Sequence, residues 1–189
     1  MSGGLIELLD TRPFLSAWFW LWFVTSWSWA GRHVLGVPMD VVHAARKALG
    51  AEAPPPDAPA ALVLFDWLSL HVPRARPGRR ETQMLLAGSG FVAAGLFVLG
   101  FRFGVSMAQA LFLFVVPFIA LFWMRVRLAE CLVPLLDEAS RGRPVNETAR
   151  DVLRVIGIHR ALFHLLSIAS VVITGLWGML WLLTHPNGL

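Results

Sequence analysis

The chain has 189 residues, 57% hydrophobic and 15% charged, with nine Trp and thirteen Phe, and its mean hydropathy is +0.65. That length suits one domain, and that composition excludes an ordinary water-soluble one. The net charge of +4 does not imply nucleic acid: no nucleic-acid motif accompanies it, and the basic residues collect beside apolar stretches, where anionic lipid headgroups attract them.

In chain order, the leader carries Glu7, Asp10 and Arg12 rather than the basic start of a signal peptide, so the first apolar stretch is expected to be retained. That stretch, residues 14–31, follows Asp10, Thr11 and Pro13, a capping residue and a helix-start proline. At about 100° per residue, Trp18, Trp22 and Trp29 share one face, with Trp20 and Trp27 nearly opposite. Such a wide aromatic helix suits packing between neighbours; contact with a flat ligand such as a quinone or pigment is the alternative.

The loop 32–83 opens with Val37, Val41, Val42, Ala45 and Leu49 on one helical face, which predicts a short interfacial helix behind Pro38. Residues 50–60 are a proline-rich spacer. A second amphipathic helix is predicted over residues 62–72, with Leu62, Phe65, Trp67 and Leu68 toward its apolar side. Arg74, Arg76, Arg79 and Arg80 then form an anchor for anionic headgroups, or alternatively a dock for an acidic partner.

The second apolar stretch, residues 84–101, is announced by Glu81, Thr82 and Gln83 and has a small-residue face at Gly90 and Ala94. The third, residues 105–124, contains Pro117, expected to kink it, and Gln109 as its most polar occupant. In the loop 125–160 helical periodicity continues from both flanks: Val126, Ala129, Leu132, Val133 and Leu136 on one side, Ala149, Val152, Leu153 and Ile156 on the other. Residues 140–144 (SRGRP) break the two arms, and Asn146 with Glu147 suits a helix start. The third and fourth stretches therefore read as one long helical hairpin whose apolar stripe needs a neighbour: the first loop, the headgroup layer or a partner protein. The fourth stretch, residues 161–183, spaces Ser170, Thr174 and Gly178 at four-residue intervals, another face for close helix contact.

None of the four stretches contains Asp, Glu, Lys or Arg. Each meets or nearly meets the roughly 20 apolar residues that cross about 30 Å of hydrocarbon, and no alternating barrel pattern appears. The expected fold is thus all-α: a polytopic membrane protein forming a single membrane domain over residues 1–189, with four transmembrane helices and amphipathic cytoplasmic helices. Of the sixteen Lys and Arg residues, seven lie in each long loop, one in the leader, one (Arg102) between the second and third stretches, and none after Leu183. The positive-inside bias puts both long loops in the cytoplasm of a bacterial inner membrane and both termini in the periplasm. Short echoes between Val37-Pro38 and Val133-Pro134, and between Arg76-Pro77 and Arg143-Pro144, use common boundary residues and do not establish a repeat.

Chemistry-bearing residues are sparse. His33 and His164 both fall at the cytoplasmic ends of predicted spans, a geometry compatible with bis-histidine haem b; His159, five residues from His164, would face about 140° away. Ser89 between Gly88 and Gly90 has the look of a nucleophile only in part, since Ala87 stands where an intramembrane rhomboid protease has its first glycine. Asp40 with His43, Asp66 with His71, and His185 lack metal-ligand spacing. Cys131, the one cysteine, excludes an intrachain disulfide framework and is expected to be a small buried hydrophobe.

Residues 8–42 (LLDTRPFLSAWFWLWFVTSWSWAGRHVLGVPMDVV) resemble a group of small multi-pass bacterial inner-membrane proteins, through the Asp-x-Arg start, the Trp-rich span and the HVLGVPMD boundary. Some members carry the label "component of SufBCD complex", which implies iron-sulfur cluster assembly; the resemblance carries over no site residue. The sequence therefore predicts a non-catalytic membrane protein acting through contacts, as an accessory or assembly subunit or a homo-oligomer. Its partners are the bilayer, anionic headgroups and other membrane subunits or itself. A haem- or quinone-associated redox subunit is the alternative.

Overall fold

The computed structural model describes residues 13–53 and 55–184, with the backbone alone for His33 and Val34. The fold is all-α apart from one small hairpin. After a 3-10 turn at Pro13–Leu15 come α1 (Ala17–Ala30), strands β1 (His33–Val34) and β2 (Val37–Pro38), α2 (Met39–Leu49) and α3 (Pro59–His71). A second 3-10 turn, Pro73–Ala75, leads to α4 (Arg79–Phe97), which a π-helical turn (Val98–Arg102) prolongs; α5 (Ser106–Ser140) and α6 (Val145–Thr184) complete the fold.

Among the described residues, three helices are long and apolar enough to cross a membrane: α4 with its π turn at 24 residues, α5 at 35 and α6 at 40. Helix α1 has only 14 residues and rises about 21 Å, less than the hydrocarbon thickness. The stretch expected to cross over residues 14–31 is thus divided, with Ser16 breaking the run and its carbonyl accepting the first amide bonds of α1. Helix α5 continues through both Pro117 and Pro134.

The residues form two compact units. One draws on the chain through Trp29, on Arg80–Ala120 and on the chain from Leu165; the other comprises Ala30–Arg79 and Leu121–His164.

The second unit has a core of its own. Val42, Ala45 and Leu49 of α2 and Ala61, Leu64 and Leu68 of α3 are buried with Leu128, Ala129 and Leu132 of α5 and Ala149, Val152, Leu153 and Ile156 of α6. The apolar stripes of α5 and α6 are therefore covered by the first loop of the same chain, and each fully buried leucine contributes about 1.5–3 kcal/mol. Of the residues expected on the inward side of α3, Leu68 is buried and Phe65 and Trp67 are partly buried against this core, whereas Leu62 is exposed; Ala61, Leu64 and Val72 complete the buried face. Its sequence is apolar almost all round, so its neighbours choose the face. Cys131 is exposed rather than buried, because it falls on the side of α5 that carries Arg127, Glu130 and Pro134.

Three local devices set this unit's geometry. Leu35 and Gly36 both have positive φ, 51° and 79°, the requirement of a two-residue type I′ turn, and the His71 ring lies where a Gly36 side chain would stand. Gly142, at φ 94°, ends α5 in a Schellman motif: the Arg143 amide donates to the Glu138 carbonyl and the Gly142 amide to that of Ala139, both at 3.2 Å. The Arg143 guanidinium then bridges Glu138 at 2.6 Å and Asp151 at 2.9 Å, and bonding to Glu138, followed by Asp151, raises its pKa. Asn146, expected to begin a helix, lies inside the first turn of α6 and clamps the proline-rich spacer. Its Oδ1 accepts from the Ala58 amide at 3.2 Å and its Nδ2 donates to the Pro55 carbonyl at 2.8 Å.

In the first unit the inward face of α1 is aromatic. Phe23, fully buried, lies 5.8 Å from the Phe114 ring, and Trp27 lies 4.8 Å from Phe118. At the π turn the backbones meet: a Cβ on Gly100 would lie 2.8 Å from the Gln109 amide nitrogen. Gln109 is buried; it donates to the Gly100 carbonyl at 2.9 Å and accepts from the Trp177 indole at 3.1 Å. The most polar residue of the third stretch thus satisfies a carbonyl of the irregular turn, as backbone in an apolar surrounding requires.

Candidate functional site

The residues singled out for helix packing fall into two groups. Ser170 and Thr174 are buried, and a Cβ on Gly178 would meet the Phe14 ring at 3.3 Å, so the small-residue face of α6 is occupied within its own unit. Gly90 and Ala94 of α4 are exposed, and Gly88, Gly90 and Gly95 each have open space where a side chain would begin. Only 6% of the apolar window of α4 is buried. The Trp face of α1 also points outward, with Trp18, Trp22 and Trp29 exposed at 78%, 67% and 72%. Trp20 and Trp27 are the tryptophans of that helix turned toward the aromatic packing. Arg74, Arg76, Arg79 and Arg80 are all exposed.

The polar residues gather elsewhere. A recess of about 20 Å³ in the second unit is lined by Ala30, Gly31, Leu121, Arg125, His159, Arg160, Phe163 and His164. Arg125, on α5, is half-buried and donates Nη2 to the Ala30 carbonyl at 2.9 Å, placing a cation on the C-terminal end of α1, where the helix dipole is negative. Burial lowers its pKa, yet a guanidinium stays charged. Arg160, on α6, donates Nη1 to His43 Nε2 of α2 at 3.0 Å. His159 is 8% exposed; burial first, and the nearby Arg125 charge second, push its pKa down, so it is neutral at pH 7.

His159 and His164 thus line one recess although their positions differ by about 140° around the helix. The buried His159 and the exposed His164 reach it from adjacent faces, with Arg160 between them. Position along one helix gave no sign of this, since Arg125 and the end of α1 complete the site from other parts of the chain.

The His33–His164 pair of the haem alternative is not shown: the His33 side chain lies outside the described residues, as do His185 and the leader residues Glu7, Asp10 and Arg12. Among the described residues no group of three or more His, Cys, Asp or Glu could hold a metal ion. The Ser89 hydroxyl donates to the Leu86 carbonyl of its own helix at 3.0 Å, and His71 bonds the Trp67 carbonyl through Nδ1 at 2.9 Å. Both are bonds within a helix.

Comparison with protein-family models, curated proteins and solved structures returns no match.

Proposed function

We propose that the protein is a non-catalytic, multi-pass protein of a bacterial inner membrane that works by contact, as an accessory or assembly subunit of a larger complex or as a homo-oligomer. The observation that carries this reading is α4: an apolar helix 6% buried over its spanning window, with glycines open to close approach. Between helices in lipid, burial of apolar surface gives little drive, and small residues that admit a neighbouring backbone favour association. The outward Trp face of α1 extends the surface available to a partner or to lipid.

In this reading α1 and the turn before it supply a fourth, short crossing. Both Arg-rich loops are cytoplasmic, both termini periplasmic, and α5 and α6 form the hairpin anticipated from their periodicity. The Schellman turn at Gly142, followed by Pro144, and the Arg143 bridge favour that connection. Reporter fusions at the N-terminus and after residue 184 test the topology: periplasmic activity at both ends is expected, and a cytoplasmic N-terminus would remove the fourth crossing. Gentle extraction followed by identification of co-purifying chains tests the function. A chain that runs alone and monomeric in several mild detergents would refute it.

A further inference from the structure

The recess formed by Arg125, His159, Arg160 and His164 has no part in the contact function proposed above, and its composition is unusual. Two guanidinium and two imidazole groups converge there, and no carboxylate lines it. Each guanidinium offers five N–H donors. Arg125 spends one group on the Ala30 carbonyl and Arg160 one on His43, and among the described residues neither has a further acceptor. His159, 8% exposed, makes no hydrogen bond to a described residue, and its side chain lines the recess. The site is therefore rich in donors and short of an acceptor.

The geometry points to this recess as a binding site for the phosphate of an anionic lipid headgroup. A volume of about 20 Å³ admits about one water-sized group, hence one phosphate oxygen, and is far too small to enclose a nucleotide or a sugar. Charge-assisted bonds from Arg125 and Arg160 would hold that oxygen, with the neutral His159 as a third donor. Leu121 and Phe163 line the same recess and supply the apolar border that a lipid can use and an inorganic anion cannot. The inference rests on the proposed topology, in which residues 30–31, 121–125 and 159–164 all lie at the cytoplasmic ends of spans.

The test uses the full chain in mild detergent, with binding of short-chain phosphatidylglycerol, short-chain phosphatidylcholine and inorganic phosphate measured separately. Arg160→Gln removes one charge-assisted bond and is expected to weaken phosphatidylglycerol binding about tenfold; His159→Gln tests the third donor, and Arg160→Lys should restore part of the affinity. Arg141→Gln with Arg150→Gln, exposed cations that neither line the recess nor belong to the arginine anchor after α3, should leave the affinity nearly unchanged. Equal losses in the two sets of variants, or no loss with Arg160→Gln in a chain of unchanged melting temperature, would overturn the site. Inorganic phosphate binding as tightly as phosphatidylglycerol would assign the recess to a soluble anion and overturn the lipid source. Failure of this inference is separable from failure of the contact function, because lipid binding is read on the purified chain whether or not another chain accompanies it.

Discussion

Asn146 is the side chain whose removal has the most defined consequence. It joins the first turn of α6 to the spacer that leads into α3, through the Ala58 amide and the Pro55 carbonyl. Ala58 is fully buried, so in Asn146→Ala its amide has no ready replacement acceptor, at a cost of about 1–3 kcal/mol. The Pro55 carbonyl is exposed and can turn to water, adding little. A loss of about 2 kcal/mol is therefore expected, equivalent to roughly thirtyfold in the opening equilibrium of the spacer and the start of α3. Hydrogen exchange of the amides from Ala58 to Leu64 reads this directly. Asn146→Asp keeps the acceptor for Ala58 and should retain most of the protection, whereas Asn146→Leu should behave like Asn146→Ala. Wild-type exchange in Asn146→Ala would refute the clamp.

Gly100→Ala should destabilise the first unit by about 1–3 kcal/mol, because the added carbon meets backbone atoms of α5; Gly90→Ala, with open space around it, should leave the thermal transition in detergent unchanged. Gly142→Ala, forced to keep φ near 94°, should cost about 1 kcal/mol, and Gly142→Asn less, by the same melting measurement. His159 gives a pH dependence of known sign. Its folded pKa lies below the ordinary 6.5, so the unfolded chain binds the proton more readily, and stability present above about pH 6.5 is lost as pH falls toward the folded value. The groups around it are Arg125 on α5 and Arg160 and His164 on α6, with His43 of α2 reached through Arg160. Melting at pH 5.5 and 7.5 should show a smaller difference in His159→Gln than in the wild type.

The parts of the fold legible in the sequence are those where one local pattern decides the outcome. Charge-free runs marked four crossings, and those at 84–101, 105–124 and 161–183 fall on helices long and apolar enough to cross a membrane; the periodicity of Ala149, Val152, Leu153 and Ile156 picked out a buried stripe of α6. Helix α3 shows where that logic weakens: with Ala61, Leu62, Val63, Leu64, Phe65, Trp67, Leu68 and Leu70 in one short segment, no period distinguishes one face, and tertiary neighbours select Leu64 and Leu68. The two small-residue faces look alike in sequence, yet Gly178 lies under Phe14 and Gly90 under none of the described residues. The recess was the least legible feature, because Arg125 and His159 come from separate helices and their positions carry no motif. The Asn146 clamp joins positions 88 and 91 residues apart, and no local signal announces such a contact.

The central claim, that α4 presents a face made for another chain, is tested most directly by the mass of the purified assembly. Native mass spectrometry in several mild detergents should find particles heavier than one 20.9 kDa chain, and Gly90→Leu with Ala94→Leu should return them to that mass without lowering the melting temperature. A wild-type protein that is a single 20.9 kDa chain in every mild detergent would contradict the account.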